Sequence, residues 1–330
     1  MRFAEIGLKG NPLYDSANFR PPGVAPMRVT VLISTRNNAG RLEVTLDSLS
    51  RLRVPSDIEW DLVIADNGSS DGTARVLNSW SSRLPLRSVW VPEPGVSRGR
   101  NAALALAHGD LVIFTDDDVK VPPTWITHYA EAYKALGDRY FYGGPIDSEL
   151  EGDPPADGWM RIAPASVRGL DWGPTAHELK QWQLFLGANW ACSPDAARAA
   201  GGYNIRMGPG GTAGPPLGEE TDLMERLQRQ GLRAWYLPSV RIQHWVPAAK
   251  TQPEHLLARW QTLATVRAWQ GRVWYGRIRV GRIPWRLYPE LAKATLKSVA
   301  ARMGLGDRVE ADTQRAWARG AWAGFRLPPP

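Results

Sequence analysis

Short apolar runs alternate with helical patterns of apolar residues over the first third of the chain. The runs are predicted to be strands, at residues 29–34, 61–65, 86–91 and 111–115. Between them, leucines recur at helical spacing from Leu42, and residues 73–80 and 97–108 are also predicted to be helical. Strands that alternate with helices of this length predict parallel βαβ units, and therefore an α/β fold.

The remaining chain has weaker patterns. Residues 145–185 are rich in Pro, Gly and Trp and predict no regular element. After them, the pattern predicts a helix that starts within 218–226, short strands at 234–237 and 240–243, and helix beyond Pro253. The first 26 residues are predicted to be an irregular arm.

Polar clusters follow three of the predicted strands. They are Thr35, Arg36 and Asn37, then Asp66 and Asn67, then Asp116, Asp117 and Asp118. Ligands of parallel α/β sheets bind beyond the carboxyl ends of the strands, where all three clusters are expected to converge. The sequence therefore predicts one ligand site at this edge of the sheet.

The three consecutive aspartates carry the clearest chemistry. Like charges at this spacing need compensation, and a hard divalent cation that shares oxygens with a diphosphate would provide it. A solvated turn or a helix cap is the alternative interpretation. Asp66 can accept hydrogen bonds from a base or a ribose, or it can stabilise the turn that follows it.

Composition excludes several protein classes. The chain has 330 residues and one cysteine, Cys192, so an intramolecular disulfide and a multi-cysteine zinc site are excluded. No apolar run reaches the length of about 18 residues that a membrane-spanning helix needs. A lone cysteine fits a reducing compartment, and a cytoplasmic location is therefore expected.

The net charge of +7 is divided unevenly along the chain. Residues 250–330 contain 15 Lys and Arg against 5 Asp and Glu, a charge of +10, so the preceding part carries −3. The same tail holds 6 of the 16 tryptophans. Three interpretations remain open for it: residues 250–302 lie on an anionic membrane, the tail binds an anionic acceptor, or it packs on the body as a helical subdomain.

Four segments in this order resemble a family 2 glycosyltransferase with the GT-A fold. They are VTVLISTRNNAGRLEVTLDSL, DLVIADNGSSDGT, PGVSRGRNAALALAHGDLVIFTDDDV and GEETDLMERL, within residues 28–246. The resemblance implies a Rossmann-like, mostly parallel sheet flanked by helices. The implied catalytic domain is 27–248, with a nucleotide-binding half at about 27–120 and an acceptor half at about 140–248. A basic, Trp-rich helical extension, 249–330, would follow it.

The resemblance also implies roles for individual residues. The metal, Mn²⁺ or Mg²⁺, is expected at Asp118 and His244. Nucleotide binding is expected from Thr35, Arg36, Asn37, Asp66, Arg98, Arg100, Asn101, Asp116 and Asp117. The sugar and acceptor side is expected at Ala188, Asn189 and Trp190, with Trp182 as a second candidate for stacking on a sugar. The alternative for both tryptophans is packing in the core.

The catalytic base of the family lies in a Glu-Asp pair at the start of a helix. This chain has Glu219 and Glu220 there, so a longer side chain replaces the aspartate. Glu220, Glu219 and Asp222 are the candidates, in that order. The alternative is that all three only favour the positive end of the helix dipole.

The expected activity is the transfer of a sugar, with inversion, from a nucleotide-diphosphate donor to a hydroxyl of a glycan or a lipid-linked acceptor. A UDP-sugar is the favoured donor. A sugar-phosphate nucleotidyltransferase is an alternative, but residues 34–38 read Ser-Thr-Arg-Asn-Asn where it would need a glycine-rich loop with lysine. A nucleic-acid-binding or scaffold protein acting through the tail is the other alternative, and the acidic body argues against a nucleic-acid groove.

Overall fold

The computed structural model describes residues 25–328, except residues 156, 182, 213, 216, 274 and 277. Of the predicted arm at 1–26, only residues 25 and 26 are described. The stacking candidate Trp182 lies outside the described residues. A mixed sheet of eight strands forms the centre of the fold. From one edge to the other, its strands are residues 86–90, 58–66, 27–35, 111–115, 190–192, 140–143, 233–236 and 177–178. The expected α/β class is confirmed.

The first half of the sheet is parallel throughout, as the alternating pattern predicts. Strand β1 pairs with β2 and β4, and β2 pairs with β3. The elements are β1 (Met27–Thr35), α1 (Ala39–Leu49), β2 (Ile58–Asp66), α2 (Thr73–Trp80), β3 (Leu86–Trp90), α3 (Val96–Leu106) and β4 (Leu111–Thr115). Alternate residues of β1 face opposite cores: Val31 and Ile33 pack with α1 and α2, whereas Leu32 packs with α3.

The second half mixes strand directions, and most of its elements carry no clear sequence pattern. Strand β9 is antiparallel to both β4 and β6, whereas β6 and β10 are parallel. The elements are β5 (Val119–Lys120), α4 (Trp125–Leu136), β6 (Tyr140–Gly143), β7 (Ile146–Leu150), α5 (Ala165–Arg168), β8 (His177–Glu178), β9 (Trp190–Cys192), α6 (Pro194–Ala199), α7 (Glu219–Arg229), β10 (Arg233–Tyr236) and β11 (Ile242–Val246).

A second, small sheet positions the end of the aspartate run. Strand β11 lies between β5 and β7, and His244 pairs with Val119 in antiparallel register. The Trp245 N–H donates to the Asp118 carbonyl at 2.9 Å. The strand predicted at 240–243 therefore begins two residues later, because Pro238–Val240 forms a 3₁₀ turn. His244 lies inside this strand and not after it.

The C-terminal region is helical and packs against the body. Its elements are α8 (Pro253–Trp269), a hairpin of β12 (Arg279–Val280) and β13 (Ile283–Pro284), α9 (Leu287–Arg302) and α10 (Arg308–Arg326). The Trp260 indole donates to the Ile162 carbonyl at 2.7 Å, and Trp269 packs on Met207. Within the described residues, none of the helices combines the length and the apolar character that a membrane span needs.

Helices α8 and α10 approach closely because glycines face α8. A Cβ at Gly320 would lie 1.9 Å from the Gln261 carbonyl oxygen, and the Gly320 carbonyl accepts from the Thr265 hydroxyl at 3.0 Å. A Cβ at Gly324 would lie 2.3 Å from the Thr265 carbonyl oxygen. Any side chain at these positions would therefore force the two helix backbones apart.

We expect Gly320→Ala to lower the free energy of unfolding by about 1–3 kcal/mol, because its methyl group collides with backbone. The loss would occur although alanine has a helix propensity better than glycine by about 1 kcal/mol. Gly40→Ala is the matched control, since Gly40 is helical and a Cβ there meets nothing within 4 Å. Urea unfolding of both variants checks this, and a Gly320→Ala variant as stable as Gly40→Ala would contradict the close packing.

Candidate active site

A cavity of about 680 Å³ opens beyond the carboxyl ends of β1 and β4. Its walls come from the strand ends, the starts of α3, β7, α5 and α7, the segments 186–188 and 209–210, and the segment from β11 into α8. The wall residues from the polar clusters are Thr35, Arg36, Asn37, Asn67, Asp116, Asp117 and Asp118. The clusters therefore converge at this edge of the sheet.

Asp116, Asp118 and His244 form the one cluster in the described part of the chain whose ligand atoms suit a metal ion. One such atom from each residue lies within 4.8 Å of the others, and His244 Nε2 is 3.3 Å from Asp118 Oδ1. That Oδ1 is buried and has no hydrogen-bond partner. A buried oxygen without a partner, beside a second carboxylate and an imidazole, fits a divalent cation.

The electrostatics of His244 agree with such a site. Burial favours the neutral ring, but the carboxylates of Asp118 and Asp116 outweigh it and raise the pKa of His244 above its ordinary value. The two carboxylates therefore favour a proton on the ring, as they would favour a cation between them. A bound divalent cation would replace this proton, because only neutral imidazole is a metal ligand.

Asp117 points away from this cluster. Its carboxylate accepts from the Thr35 hydroxyl at 2.5 Å and from the Asn38 amide at 2.8 Å. Burial, with a smaller contribution from the neighbouring aspartates, raises the pKa of Asp117 to about 7. Asp117 and Thr35 thus join the ends of β1 and β4.

A buried arginine joins the aspartates to the acidic start of α7. The Arg100 guanidinium contacts Asp116 Oδ1 at 2.9 Å and Glu219 Oε1 at 2.8 Å. The side chains of Arg100 and Glu219 are each 7% exposed, so both charges of this ion pair are desolvated. In this structure, the partners of Arg100 are therefore carboxylates of the protein itself.

Glu220, unlike Glu219, has no ion pair with Arg100. Its Oε2 is buried without a hydrogen bond, and the residue lines the cavity. Burial and the charge of Glu219 raise the pKa of Glu220 well above its ordinary value, although Arg100 opposes the shift. Glu219 is therefore held by Arg100, whereas Glu220 is a carboxyl group of raised proton affinity with a free oxygen at the cavity.

Two exposed side chains and one turn form the outer wall at β1. Arg36 and Asn37 are exposed there, and Asn37, at φ +50°, accepts from the Ser70 N–H at 2.7 Å. Asp66 is 3% exposed and accepts from the Ser69 N–H at 3.0 Å, which is the turn interpretation. Asp66 does not line the cavity in this conformation; Asn67 does.

Three further predicted residues lie away from the cavity, which corrects their expected positions. Arg98 is half-buried but is not a wall residue. The Asn101 side chain is occupied by the backbone of Tyr203, at 2.7 and 2.8 Å. Asp222 pairs with Arg226 at 2.8 Å on the surface of α7, so it is not placed to act as the base.

The segment expected at the sugar side contributes only in part. Ala188 and Gly187 line the cavity. Asn189 is fully buried: its oxygen accepts from Trp125 and Tyr129, and its nitrogen donates to two backbone carbonyls. Trp190 is fully buried and stacks on Phe114, with ring centroids 4.4 Å apart. Asn189 and Trp190 therefore lie in the core and not on the cavity wall, and for Trp190 this is the alternative interpretation.

Sequence reasoning missed a cationic wall. Lys250, His255 and Arg259 line the cavity from the segment that leads into α8 and from α8 itself. Arg259 contacts the Ser166 hydroxyl at 3.1 Å, and neither Arg259 nor Lys250 forms an ion pair with another described residue. Burial, helped by Arg259 and Lys250, lowers the pKa of His255. The basic composition of the tail was the available signal.

Comparison with known proteins agrees with this architecture. Residues 30–182 match the protein family described as Glycosyl transferase family 2. The succinoglycan biosynthesis protein ExoM of Rhizobium meliloti is 25% identical over 211 residues, which are 62% of this chain and 63% of that protein. The matches cover only 27% to 63% of the length of three curated relatives.

Two solved structures share the fold over most of the chain. The mannosyltransferase PcManGT of Pyrobaculum calidifontis, in complex with GDP-Man and Mn²⁺, has a TM-score of 0.55 at 22% identity and covers 92% of this chain and 89% of that one. S. aureus TarS 1-349, in complex with UDP-GlcNAc, has a TM-score of 0.50 at 13% identity and covers 90% and 91%. Residues 30–182 therefore match a family 2 glycosyltransferase domain, and the fold is GT-A.

Proposed function

We propose that the chain is a metal-dependent, inverting glycosyltransferase that uses a nucleotide-diphosphate sugar. One observation carries the proposal: in a single cavity, the unpartnered Asp118 oxygen with Asp116 and His244 lines one wall, and the unpartnered Glu220 oxygen lines another. The first arrangement suits a cation that binds a diphosphate, and the second suits a general base. The relatives support the proposal because the two solved structures contain GDP-Man and UDP-GlcNAc.

Different residues are proposed to act on the departing nucleoside diphosphate and on the acceptor hydroxyl. Bound Mn²⁺ or Mg²⁺ would supply positive charge to the departing nucleoside diphosphate. Asp116, Asp118 and His244 would hold it. Glu220 would take the proton of the acceptor hydroxyl during its attack on the anomeric carbon, from the side opposite the leaving group, so the configuration inverts. Arg100 holds Glu219 in place beside Glu220.

The donor and acceptor classes are also proposals. Thr35, Arg36, Asn37, Asp66 and Asp117, at the strand ends, are the proposed surroundings of the nucleotide, with a UDP-sugar as first candidate. The acceptor is proposed to be a glycan or a lipid-linked compound. The basic side chains of Lys250 and Arg259 on the cavity wall support an acceptor with a phosphate or carboxylate group. The name of the relative ExoM supports polysaccharide biosynthesis as the setting. We propose a cytoplasmic location.

A panel of UDP- and GDP-sugars tests the activity. With Mn²⁺, we expect one donor class to raise the thermal midpoint and to be slowly hydrolysed, because a ligand at 100 times its Kd stabilises by about 2.7 kcal/mol. EDTA should remove both responses. We expect Asp118→Ala to lack them as well, whereas Asp47→Ala, an exposed aspartate on α1 paired with Arg51, should keep them.

Two results would contradict this proposal. One is a chain that responds to no donor with either metal. The other is an Asp118→Ala variant with unchanged turnover, which would exclude a metal held at this cluster.

A further inference from the structure

Helix α9 has two apolar faces. One face is buried against its neighbours through Leu287, Ala294 and Ala301. The opposite face is exposed, and its residues recur at spacings of four, four, three and four: Tyr288, Ala292, Leu296, Val299 and Met303. An ordinary surface helix carries polar residues on the face opposite the core. Packing within the fold therefore does not explain the second apolar face of α9.

The exposed apolar residues continue beyond the helix. Among the described residues, eleven large hydrophobic side chains are exposed, and eight of them lie within residues 278–305. Leu296 is 71% exposed and Met303 73%, and Ile278 in the adjoining hairpin segment is 69% exposed. The Trp285 N–H donates to the Ile278 carbonyl at 3.0 Å, which joins this segment to the start of α9. We call residues 278–305 the hairpin–α9 surface.

Basic residues border this surface. It contains one acidic residue, Glu290, and six basic ones: Arg279, Arg282, Arg286, Lys293, Lys297 and Arg302. At about 100° per residue, Arg286, Lys293 and Lys297 flank the apolar face of α9 on one side and Arg302 flanks it on the other. Two of the four have a partner on α10: Lys297 donates to Gln314 at 3.3 Å and Arg302 pairs with Asp312 at 3.6 Å. Long basic side chains at the edge of an apolar face can bury their stems while their charges stay at the phosphate level.

We propose that the hairpin–α9 surface lies in the interface of an anionic lipid bilayer. An exposed apolar stripe between basic flanks matches the acyl boundary and the negative headgroups of such a membrane. A second copy of the chain is a poorer occupant, because a two-fold contact would place the basic flanks of both copies against each other. The proposal does not depend on glycosyl transfer.

The structure also narrows the extent of this membrane contact. The sequence allowed residues 250–302, but α8 packs against α10 and lines the cavity with His255 and Arg259. Trp260 and Trp269 are likewise turned toward the body. Among the residues described within 250–305, the exposed large apolar side chains begin at Ile278, so the proposed contact surface is 278–305.

Vesicle flotation of the full chain tests the proposal. We expect the protein to float with vesicles of phosphatidylcholine and phosphatidylglycerol, to remain unbound with phosphatidylcholine alone, and to dissociate progressively as salt increases. The double variant Leu296→Glu/Met303→Glu should bind anionic vesicles at least about tenfold more weakly, because charges would replace the side chains that enter the interface.

Matched controls separate membrane contact from misfolding and from self-association. Val44→Glu changes an exposed apolar residue on α1 and should leave flotation unchanged. The double variant should keep the wild-type thermal midpoint, because both of its side chains are exposed. Equal flotation of wild type and double variant would overturn the proposal. A wild-type dimer in light scattering that the double variant loses, without flotation of either protein, would also overturn it.

Discussion

Replacing Glu220 by glutamine is expected to lower kcat for sugar transfer by about 10²–10⁴-fold, the usual contribution of a positioned general base. Glutamine keeps the size of the side chain but cannot accept the proton of the acceptor hydroxyl. The KM for the donor should change little, because the residues proposed for the nucleotide lie at the strand ends. Initial rates with the donor identified by the sugar-nucleotide panel measure the effect.

Two neighbouring carboxylates provide the comparison. Asp222→Asn, on the same helix, should keep nearly full activity, because Asp222 pairs with Arg226 outside the cavity. Glu219→Gln should reduce stability more than Glu220→Gln does, since it removes the buried partner of Arg100. If Glu219→Gln lost activity while Glu220→Gln kept it, the assignment of the base would be reversed.

The raised pKa of Glu220 gives this prediction a pH dependence. A general base works only when it is deprotonated, and burial with Glu219 keeps Glu220 protonated to a higher pH than an ordinary glutamate. In the wild type, kcat should therefore rise with pH through the neutral range and fall as the pH drops through the raised pKa. The Glu220→Gln variant should lack this acid limb, and an identical limb in that variant would assign the titration to another group.

Replacing Arg100 by methionine is expected to lower the free energy of unfolding by about 3–5 kcal/mol, because it leaves buried carboxylates without their counter-charge. Glu219 is 7% exposed, and it would then face Glu220 and Asp116 with no positive group beside it. Part of the loss should be recovered at low pH, where the carboxyl groups accept protons. Urea unfolding at two pH values measures the change.

An exposed ion pair is the control for Arg100. Arg87 pairs with Asp61 at 2.5 Å, with side chains 45% and 32% exposed, so Arg87→Met should cost less than about 1 kcal/mol. Arg100→Lys should retain part of the stability, because lysine keeps the charge but cannot contact Asp116 and Glu219 with a planar fork. A loss for Arg100→Met no larger than that for Arg87→Met would show that the buried pair has little structural role.

The parallel half of the fold could be predicted from the sequence because its signal is local. The apolar strand runs at 29–34 and 61–65 lie inside β1 and β2, and the predicted strand at 111–115 coincides with β4. The second half could not be predicted in the same way. Its strands have two to five residues and join β4, β6 and β10 across long sequence separations, so their pairing partners are not neighbours in the chain.

Prediction of the site residues succeeded and failed for the same reasons: local patterns were informative, and contacts between distant parts of the chain were not. The aspartates after β4 were found because they follow a recognisable strand. The glutamates at the start of α7 were found because they stand where the family has its Glu-Asp pair. Asn189 and Trp190 were misplaced because the sequence does not show on which side of a short strand a residue lies. Lys250, His255 and Arg259 were not predicted at the site, because the charge of the tail does not show which of its residues reach the cavity.

By itself, the sequence determined the class of fold, the edge of the sheet at which ligands gather, and the residue types available there. These follow from periodicity and strand-end position, which are properties of short segments. Only the tertiary structure decided which carboxylate is held and which is free. Arg100 on α3 reaches Glu219 across 119 positions of the chain and leaves Glu220 unpartnered. That choice depends on how α3 and α7 pack on the sheet, and no local pattern of residues encodes it.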